Sequence, residues 1–251
     1  MLAQERLNTI LEYVNVHGSA DVAQLCQATG ASESTVRRDL SALAGQGRLA
    51  KVHGGAVALP GDFQPEEPDV VTKAGLQVAE KDRIARCAAA QVRDDDFVFL
   101  DAGTTTLRMV EYLGESKATF VTTGIACARR MVEKGLRAYV IGGQLKPRTE
   151  AIVGGVAIEL LAGYNFTKAF IGANGISLQR GFTTPDAEEA RIKAKAVEQA
   201  YMAYVVADST KFGKVSAVTI CPLEKACIIT DHVPDKRFSQ HAVIKEAEES
   251  Q

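Results

Sequence analysis

The sequence predicts an α/β protein in which a small N-terminal helical domain precedes a larger α/β domain with a mostly parallel sheet. Three observations lead to this prediction. Apolar residues recur at helical spacing through residue 43, a proline-rich acidic segment follows near residue 60, and short apolar runs then alternate with helical patterns. The length of 251 residues also exceeds the usual size of a single domain.

Two helices are predicted at the start of the chain. The apolar residues between 7 and 14 have the spacing of one buried helical face, and Gly18 ends that helix. A second helix is predicted over 22–29, with Asp21 or Ser19 as its N-cap. The short segment between this helix and the next favours a tight turn between two helices.

A third helix begins at Ser32, its expected N-cap, and is expected to end at Gly45 and Gly47. It buries three apolar residues at i, i+4 and i+7, namely Val36, Leu40 and Leu43. The opposite face carries serine, threonine and arginine side chains, which can hydrogen-bond base edges and phosphates in a major groove. This helix is therefore predicted to be a DNA-recognition helix.

Residues 48–55, directly after this helix, predict a short hairpin that carries cations. Together the three helices and the hairpin predict a winged helix-turn-helix that binds double-stranded operator DNA. The alternative is an ordinary three-helix domain, but paired arginines on a Ser/Thr-rich face favour DNA binding. The expected DNA-binding residues are Ser32, Ser34, Thr35, Arg37, Arg38, Ser41, Lys51 and His53.

The overall charge does not by itself indicate nucleic-acid binding. The net charge is −2, and residues 1–60 contain five cations and five anions. Four of those five cations lie in the third helix and the hairpin, where a local patch is enough for phosphate contact. Weak DNA affinity is expected of one copy, so avidity in a homodimer or homotetramer is expected to supply the difference.

Composition is typical of a soluble globular protein, with 46% hydrophobic and 24% charged residues. The five cysteines form no C-x-x-C pair and no His/Cys cluster, so reduced and mostly buried thiols are expected, with no metal and no cofactor. The chain start lacks the pattern of a signal peptide, and no apolar run approaches the ~18 residues of a membrane helix. A cytoplasmic protein without a membrane partner is expected.

A proline-rich and acidic segment separates two differently patterned halves of the chain. The predicted organisation is a winged helix-turn-helix domain over 1–58, a linker over 59–72 and an α/β effector-sensing domain over 73–251.

The second half alternates helix and strand, which predicts a mostly parallel sheet covered by helices. Helices are predicted over 78–92, 105–113, 124–134, 154–162 and 186–202. Strands are predicted at 97–100, 120–122, 138–141, 169–171, 204–206 and 227–229. In such sheets, ligands bind where strands end and loops begin.

The first strand-end loop, 101–106, reads Asp-Ala-Gly-Thr-Thr-Thr. Gly103 allows a close approach of the backbone to a ligand, and the threonine hydroxyls and helix amides can form an anion cradle. The alternative is that Asp101 and the threonines only cap the following helix.

Two further strand-end loops carry cations. The loop 141–149 places Gly142 and Gly143 beside Lys146 and Arg148, which favours either a phosphate site or a surface turn. The loop 206–213 carries Asp208 and Lys211, for which a solvated ion pair is the alternative. Three such loops at one sheet edge together predict a site for a phosphorylated small molecule.

The sequence resembles the DeoR family of bacterial transcription regulators. The resemblance rests on T-V-R-R-D-L at 35–40, H-G-G-A at 53–56, D-A-G-T-T at 101–105 and A-D-S-T-K-F-G at 207–213. It implies a C-terminal domain that is related to ribose-5-phosphate isomerase and binds a sugar-phosphate effector. It also implies a DNA-binding regulator, expected here to be a repressor of sugar-metabolism genes and not an enzyme.

The expected effector-binding residues combine the three loops with residues that match the family's pattern. They are Asp101, Gly103, Thr104, Thr105, Thr106, Gly142, Gly143, Lys146, Arg148, Asn174, Glu189 and Lys211. Departures from the family pattern occur at Lys73, Gln77, Thr123 and Thr167. The segment 181–193 resembles family members that sense fructose 1-phosphate, which makes this sugar phosphate the expected effector.

A sugar-phosphate isomerase with an appended DNA-binding domain is the alternative function. Such an enzyme needs carboxylates for general acid–base catalysis. The related isomerases carry D-G-A-D where this chain has I-G-A-N at 171–174, so both carboxylates are missing. Glu189 alone is expected to bind a hydroxyl group.

Overall fold

The structure is a computed structural model that describes residues 2–46, 48–58, 63–64 and 69–248. The chain divides into two compact units, Met1–Asp62 and Phe63–Gln251, each of which is described by itself. Most of the predicted linker, at 59–62 and 65–68, and the predicted helix end Gly47 lie outside the described residues.

In its described part, the first unit has three helices, which confirm the prediction: α1 Ala3–His17, α2 Val22–Thr29 and α3 Glu33–Gly45. Gly18 follows α1 with a φ of 75°, a conformation that favours glycine. Asp21, one of the two predicted caps, accepts a hydrogen bond from the Gln24 amide at the start of α2. The expected inward residues of α3 are buried, and each such aliphatic side chain contributes about 1.5–3 kcal/mol.

A small antiparallel sheet completes this unit over the residues that are described: β1 Ser19–Asp21, β2 Ala50–Val52 and β3 Gly55–Val57, with β3 in the centre. β2 and β3 form the predicted hairpin. β1 was not predicted, because three residues between two helices show no periodic pattern. Gly55 is required here, since a Cβ at this position would lie 2.1 Å from the Ala20 carbonyl oxygen.

The second unit alternates strands and helices. Its described helices are α4 Val70–Gly75, α5 Val78–Ala89, α6 Thr104–Glu111, α7 Ile125–Glu133, α8 Gly155–Ala162 and α9 Ala187–Glu198. Its described strands are β4 Phe63–Gln64, β5 Phe97–Leu100, β6 Thr119–Thr122, β7 Arg137–Val140, β8 Gln144–Lys146, β9 Ala151–Val153, β10 Phe166–Ile171, β11 Gly175–Ser177, β12 Gly181–Thr184, β13 Ala200–Val206, β14 Val215–Ser216, β15 Val218–Cys221, β16 Cys227–Thr230 and β17 Ile244–Glu246.

Within the described ranges, seven strands form one parallel sheet in the order β17-β16-β13-β10-β5-β6-β7. The strand order runs outward in one direction from β5 and in the other direction from β10. The crevice at the carboxyl ends of these two neighbours is therefore the topological switch point, where open α/β sheets bind ligands. This confirms the predicted mostly parallel sheet.

Helices cover both faces of this sheet. Residues of α5, α6 and α7 pack with Val98 and Leu100 on one face, and residues of α8 and α9 pack with Phe99 and Ile171 on the other. Smaller pairings complete the unit: the hairpin β8–β9, the antiparallel set β11-β12-β15 and the parallel pair β4–β14. These short strands and β17 were not predicted.

Three predicted boundaries were wrong. The helix predicted over 186–202 ends at Glu198, and β13 begins at Ala200, because the exposed first residues of this strand lack strand alternation. The helix predicted over 78–92 ends at Ala89. Residues 70–72, predicted as linker, belong to α4, because Asp69 accepts a hydrogen bond from the Thr72 amide and stabilises the first turn.

All five cysteines lie in the described ranges and are free thiols. Cys127 and Cys221 are buried, whereas the other three are half-buried. In the part of the chain that is described, no group of His, Cys, Asp or Glu residues has the arrangement of a metal site. None of the described helices is long and apolar enough to span a membrane.

Candidate functional site

The outer face of α3 and the β2–β3 hairpin form the first candidate site, the recognition surface. All of its eight predicted residues are exposed except Thr35, which is half-buried. Lys51 of the hairpin donates a hydrogen bond from Nζ to Ser41 Oγ at 2.8 Å, which brings the hairpin and the helix together. The recognition surface therefore presents the polar groups of α3 and the hairpin side by side.

Ser32 is the N-cap residue of α3, but its side chain does not cap the helix amides. Its hydroxyl contacts Ser34 Oγ at 3.1 Å and Thr35 Oγ1 at 3.0 Å instead. The predicted N-cap position is therefore confirmed, while the Ser32 hydroxyl is engaged by the neighbouring hydroxyls and not by a helix amide.

An ion pair inside the first unit fixes α3 against α1. Arg6 Nε contacts Asp39 Oδ2 at 2.6 Å, and Asp39 is buried. The hydrogen bond that Arg6 donates to the Asp39 carboxylate raises the pKa of Arg6. This pair compensates the carboxylate of Asp39, which would otherwise repel a phosphate near Arg38. Sequence reasoning counted both charges but did not pair them.

The second candidate site is a cavity of about 390 Å³ in the second unit, here called the effector cavity. It lies at the switch point, because its lining includes the residues that directly follow β5, β10 and β13. Of the predicted effector residues, seven described ones line it: Asp101, Gly103, Thr104, Thr105, Asn174, Glu189 and Lys211.

Asp101 anchors the switch point. Its Oδ2 accepts hydrogen bonds from the Gly172 amide at 2.7 Å and from Lys193 Nζ, while Oδ1 accepts from the Gly103 amide at 2.8 Å and from Thr106 Oγ1 at 2.7 Å. Burial acts to raise the pKa of Asp101, but Lys193 and these hydrogen bonds outweigh burial and lower the pKa. A carboxylate that accepts four hydrogen bonds holds the loop and leaves little capacity for a ligand.

Residues at the amino terminus of α6 line the effector cavity. Gly103 is the N-cap residue, and among the described side chains none caps these amides. A Cβ on Gly103 would lie 2.8 Å from Asp101 Oδ1, so a larger residue there would displace the Asp101 carboxylate. Unsatisfied amides at a helix start favour a bound anion. The alternative, that the loop residues only cap the helix, is met in one contact, since Asp101 Oδ1 accepts the amide of the N-cap residue Gly103.

Lysines dominate the charge of the effector cavity. Its described lining contains five lysines, Lys73, Lys81, Lys193, Lys211 and Lys214, against the three carboxylates Asp101, Glu189 and Asp208. The surplus is two positive charges. This charge matches one phosphate dianion.

The environment of Lys81 lowers the pKa of its ammonium group. It is buried, and its Nζ donates a hydrogen bond to the Lys73 carbonyl oxygen. Burial lowers the pKa of Lys81 to about 8; the charges of Lys211 and Lys73 act in the same direction, while Asp208 opposes them. Lys211 Nζ lies 3.9 Å from Asp208 Oδ2, so the ion pair considered from sequence is present but faces the cavity.

Glu189 also lines the effector cavity and is buried. Its Oε1 accepts a hydrogen bond from Thr149 Oγ1 at 2.7 Å and lies 3.5 Å from Lys146 Nζ. Lys146 Nζ lies 2.5 Å from Asp186 Oδ2, and Asp186 caps α9. These contacts fix the position of the Glu189 carboxylate.

The remaining predicted effector residues do not line the cavity. They are Thr106, whose hydroxyl is engaged by Asp101, and the four residues Gly142, Gly143, Lys146 and Arg148 of the loop after β7. A Cβ on Gly143 would lie 2.7 Å from the Val153 carbonyl oxygen, so this glycine allows the hairpin to pack. β7 is an edge strand, and only Thr149 brings its loop to the cavity.

Sequence reasoning did not propose Lys73, Lys81, Lys193 and Lys214 as site residues. Two of these lysines could have been recognised from their helical spacing. Lys81 precedes Ile84 by three positions on the buried face of α5, and Lys193 follows Glu189 by four positions on α9. A lysine among buried helix positions is an indication of an internal partner or ligand.

Two family models match the chain. The model described as DeoR-like helix-turn-helix domain matches residues 6–60, and the model described as DeoR C terminal sensor domain matches residues 76–232.

Several known proteins are similar over nearly the whole chain. An uncharacterized HTH-type transcriptional regulator FruR of Bacillus subtilis (strain 168) is 40% identical, covering 96% of each chain. The HTH-type transcriptional regulator IolR of the same organism is 33% identical, covering 94% of each chain. A lactose phosphotransferase system repressor of Staphylococcus aureus (strain N315) is 32% identical, covering 94% of this chain and 95% of the relative.

Among solved structures, ribose 5-phosphate isomerase A of Methanocaldococcus jannaschii matches with a TM-score of 0.40 and 17% identity, covering 53% of this chain and 54% of that chain. The eIF2B delta subunit of Chaetomium thermophilum matches with a TM-score of 0.40 and 16% identity, covering 57% of this chain and 50% of that chain. Similarities this low carry no functional argument.

Proposed function

This chain belongs to the DeoR family of bacterial transcription regulators, and on that basis we propose that it is a sequence-specific DNA-binding repressor of sugar-metabolism genes. Its effector is a phosphorylated sugar that occupies the effector cavity and releases the operator. One observation carries this proposal: a cationic cavity at the sheet switch point occurs in the same chain as the recognition surface.

The phosphate group binds between the amino terminus of α6 and the nearby lysines. The uncapped amides at Thr104 and Thr105 supply donors, and Lys81 and Lys211 supply charge. Backbone amides and ammonium groups in a partly enclosed site together favour a dianion over a neutral sugar.

The sugar hydroxyls bind at the side of the effector cavity that carries Glu189 and Asn174. A carboxylate accepts hydrogen bonds from hydroxyls, and an amide both donates and accepts. Both residues are buried and lie on the cavity lining, so they can read hydroxyl positions with little competition from water. We propose fructose 1-phosphate as the first ligand to test.

The names of the relatives support the sugar class. A lactose phosphotransferase system repressor is similar over nearly the full chain, and FruR and IolR are named as transcriptional regulators. Regulation of sugar genes fits a cavity that accepts a phosphorylated polyol.

We propose that the effector cavity binds its ligand without converting it. Asp101 is held by Lys193 and by three further donors, and its pKa is lowered, so it is a poor proton acceptor. Residues 172–174 supply glycine, alanine and asparagine to the cavity, none of which moves a proton between sugar carbons. An isomerase assay on the same sugar phosphates, with product detected, would contradict this part.

DNA binding is proposed to use at least two copies of the chain, as a homodimer or homotetramer. The recognition surface of one copy offers a small cationic patch, and a pair of such surfaces binds a two-part operator with avidity.

A thermal-shift panel tests the ligand part of the proposal on the full-length protein. A ligand at 100 times its Kd stabilises the folded state by ~2.7 kcal/mol, so the correct sugar phosphate should raise Tm clearly. The unphosphorylated sugar and inorganic phosphate are the matched controls and should act more weakly. An equal shift with every phosphate compound would mean that the cavity does not recognise a sugar.

A further inference from the structure

The first helix of the second unit, α4, is short and exposed. It has six residues, none of them buried, and Val71 is 84% exposed. A helix of this length is marginal in water on its own. Its order therefore depends on contacts with the rest of the second unit and not on its own sequence.

Groups at the rim of the effector cavity hold α4. Asp69 caps its first turn, and the Val70 amide donates a hydrogen bond to the Arg148 carbonyl oxygen at 3.3 Å. At the other end, Lys81 Nζ donates to the Lys73 carbonyl oxygen. Lys81 lines the effector cavity, so one contact of α4 is made by a group that a bound phosphate would attract.

The turn at 146–150 links the other contact to the cavity. Thr149 Oγ1 donates to Glu189 Oε1 at 2.7 Å, and the preceding residue, Arg148, supplies the carbonyl that holds Val70. A ligand hydroxyl that donates a hydrogen bond to the Glu189 carboxylate therefore competes with Thr149 and weakens the contact that holds this turn.

Backbone strain lies beside both contacts. In the part of the chain that the structure describes, two residues other than glycine have a positive φ: Gln77, at 50°, and Glu150, at 51°. Gln77 joins α4 to α5, and Glu150 ends the turn that holds Val70. Side chains with a Cβ disfavour this conformation, and it persists where the surroundings enforce it. Strain of this kind is common in segments that switch.

We propose that α4 is the element through which occupancy of the effector cavity weakens DNA binding, and that Asp69 is the positioning residue that keeps α4 in place. The proposal rests on the sugar-phosphate function proposed above. The phosphate draws the Lys81 ammonium from the Lys73 carbonyl, and a sugar hydroxyl displaces Thr149 from Glu189. Both contacts of α4 then weaken. Because α4 directly follows the linker in the chain, the linker to the DNA-binding unit is then held less firmly at this end.

The variant Asp69→Ala tests this at a residue that is not itself on the cavity lining. Affinity of the full-length protein for a DNA site selected from random sequence is measured by fluorescence anisotropy, without ligand and with saturating fructose 1-phosphate. In the wild type, saturating ligand should weaken DNA binding by about five-fold or more. In D69A, the DNA affinity without ligand should already approach that of the liganded wild type. The ratio of DNA affinity without ligand to DNA affinity with ligand should therefore fall toward one.

Ligand binding separates this mechanism from simple unfolding. D69A should bind fructose 1-phosphate as tightly as the wild type or more tightly, because the ligand no longer has to loosen α4; linkage requires this. Hydrogen exchange at 70–76 should accelerate when ligand binds the wild type. D69N keeps a capping side chain and should restore the wild-type ratio. D235A removes an equivalent capping contact at the Arg237 amide, outside the cavity lining. It should change neither the DNA-affinity ratio nor the affinity for fructose 1-phosphate.

The outcomes distinguish this inference from the proposed function. A wild-type ratio of one would overturn both. A wild-type ratio above five with an unchanged ratio in D69A would overturn the role of α4 alone. Weaker ligand binding in D69A, or slower exchange at 70–76 on ligand binding, would also overturn it, because α4 would then be only a wall of the cavity.

Discussion

The buried ammonium group of Lys81 links the fold of the second unit to its ligand chemistry. Burial lowers its pKa to about 8, with Lys211 and Lys73 acting in the same direction and Asp208 opposing them. Near pH 7 the group is charged, but the protein alone stabilises that charge poorly. A bound phosphate dianion would supply the missing counter-charge.

The affinity for the sugar phosphate should therefore fall as the pH rises through about 8. The bound dianion raises the pKa of Lys81, so binding above that pH must take up a proton. The phosphate itself is a dianion over this whole range, because its second pKa is about 6. Isothermal titration from about pH 7 to about pH 9.5 should show the decline. Lys81→Arg, which stays charged, should bind with little dependence on pH. A flat wild-type profile would show that Lys81 does not contact the ligand.

Arg38 is expected to carry sequence readout on the recognition surface. Arg38→Ala should lose roughly 1–3 kcal/mol on the selected operator and much less on random DNA, because a base contact discriminates between sequences. Arg37, which pairs with Glu33 at 3.3 Å, is the matched control, and its alanine variant should weaken both DNAs equally. Competition binding with operator and random fragments measures both losses. Equal losses for Arg38→Ala would assign it to phosphate contact only.

Single site residues could be predicted from sequence where their place in an element was unambiguous. Asp101 and Glu189 were proposed as effector-binding residues; both line the cavity, and their binding role stays a prediction. They were conspicuous because a polar residue follows an apolar strand or stands at a helix start. Lys193 was not proposed, because its partner Asp101 is far away in sequence. Gly143 was proposed as a phosphate contact, although it serves packing against Val153.

At the scale of elements, α3 and the β2–β3 hairpin act together through the contact between Lys51 and Ser41. Lys51→Ala should weaken binding to all DNA sequences about equally. It should also reduce the steepness of log affinity against log salt by about the amount that one phosphate contact contributes. Titrations at several salt concentrations measure the slope. Lys225→Ala, an exposed lysine of the second unit, is the control and should leave the slope unchanged. A wild-type slope in Lys51→Ala would remove the hairpin from the DNA interface.

Elements were predictable where one periodicity dominated. The core face of α3 repeats at i, i+4 and i+7, and its bounds agreed closely with the structure. The boundary between α9 and β13 was misplaced, because Ala200, Tyr201 and Met202 continue a helical pattern while they begin a strand. Their strand conformation is fixed by pairing with β10, a contact between residues distant in sequence. Short strands such as β8 and β9 were missed because three residues are too few to show a periodic pattern.

At the scale of the whole chain, the parallel sheet explains why the cavity lies where it does. The central neighbours β5 and β10 pair although about seventy residues separate them in sequence, and the Gly172 amide after β10 binds the Asp101 carboxylate after β5. Sequence reasoning predicted a site at this sheet edge but not which loops meet, because strand order is set by packing. The unequal contributions of the three predicted loops follow from that order.

Release of the operator by a sugar phosphate in the effector cavity is tested by measuring operator binding during a fructose 1-phosphate titration. Fluorescence anisotropy compares the wild type with Thr104→Glu, which places a carboxylate at the first residue of α6. Glutamate is compatible with a helix start, so the fold should persist, but its charge repels the phosphate. Thr219→Glu, at an exposed position on β15, is the control. We expect the wild type and the control to release DNA at the same concentration while Thr104→Glu stays bound. Release of Thr104→Glu at the wild-type concentration would contradict it.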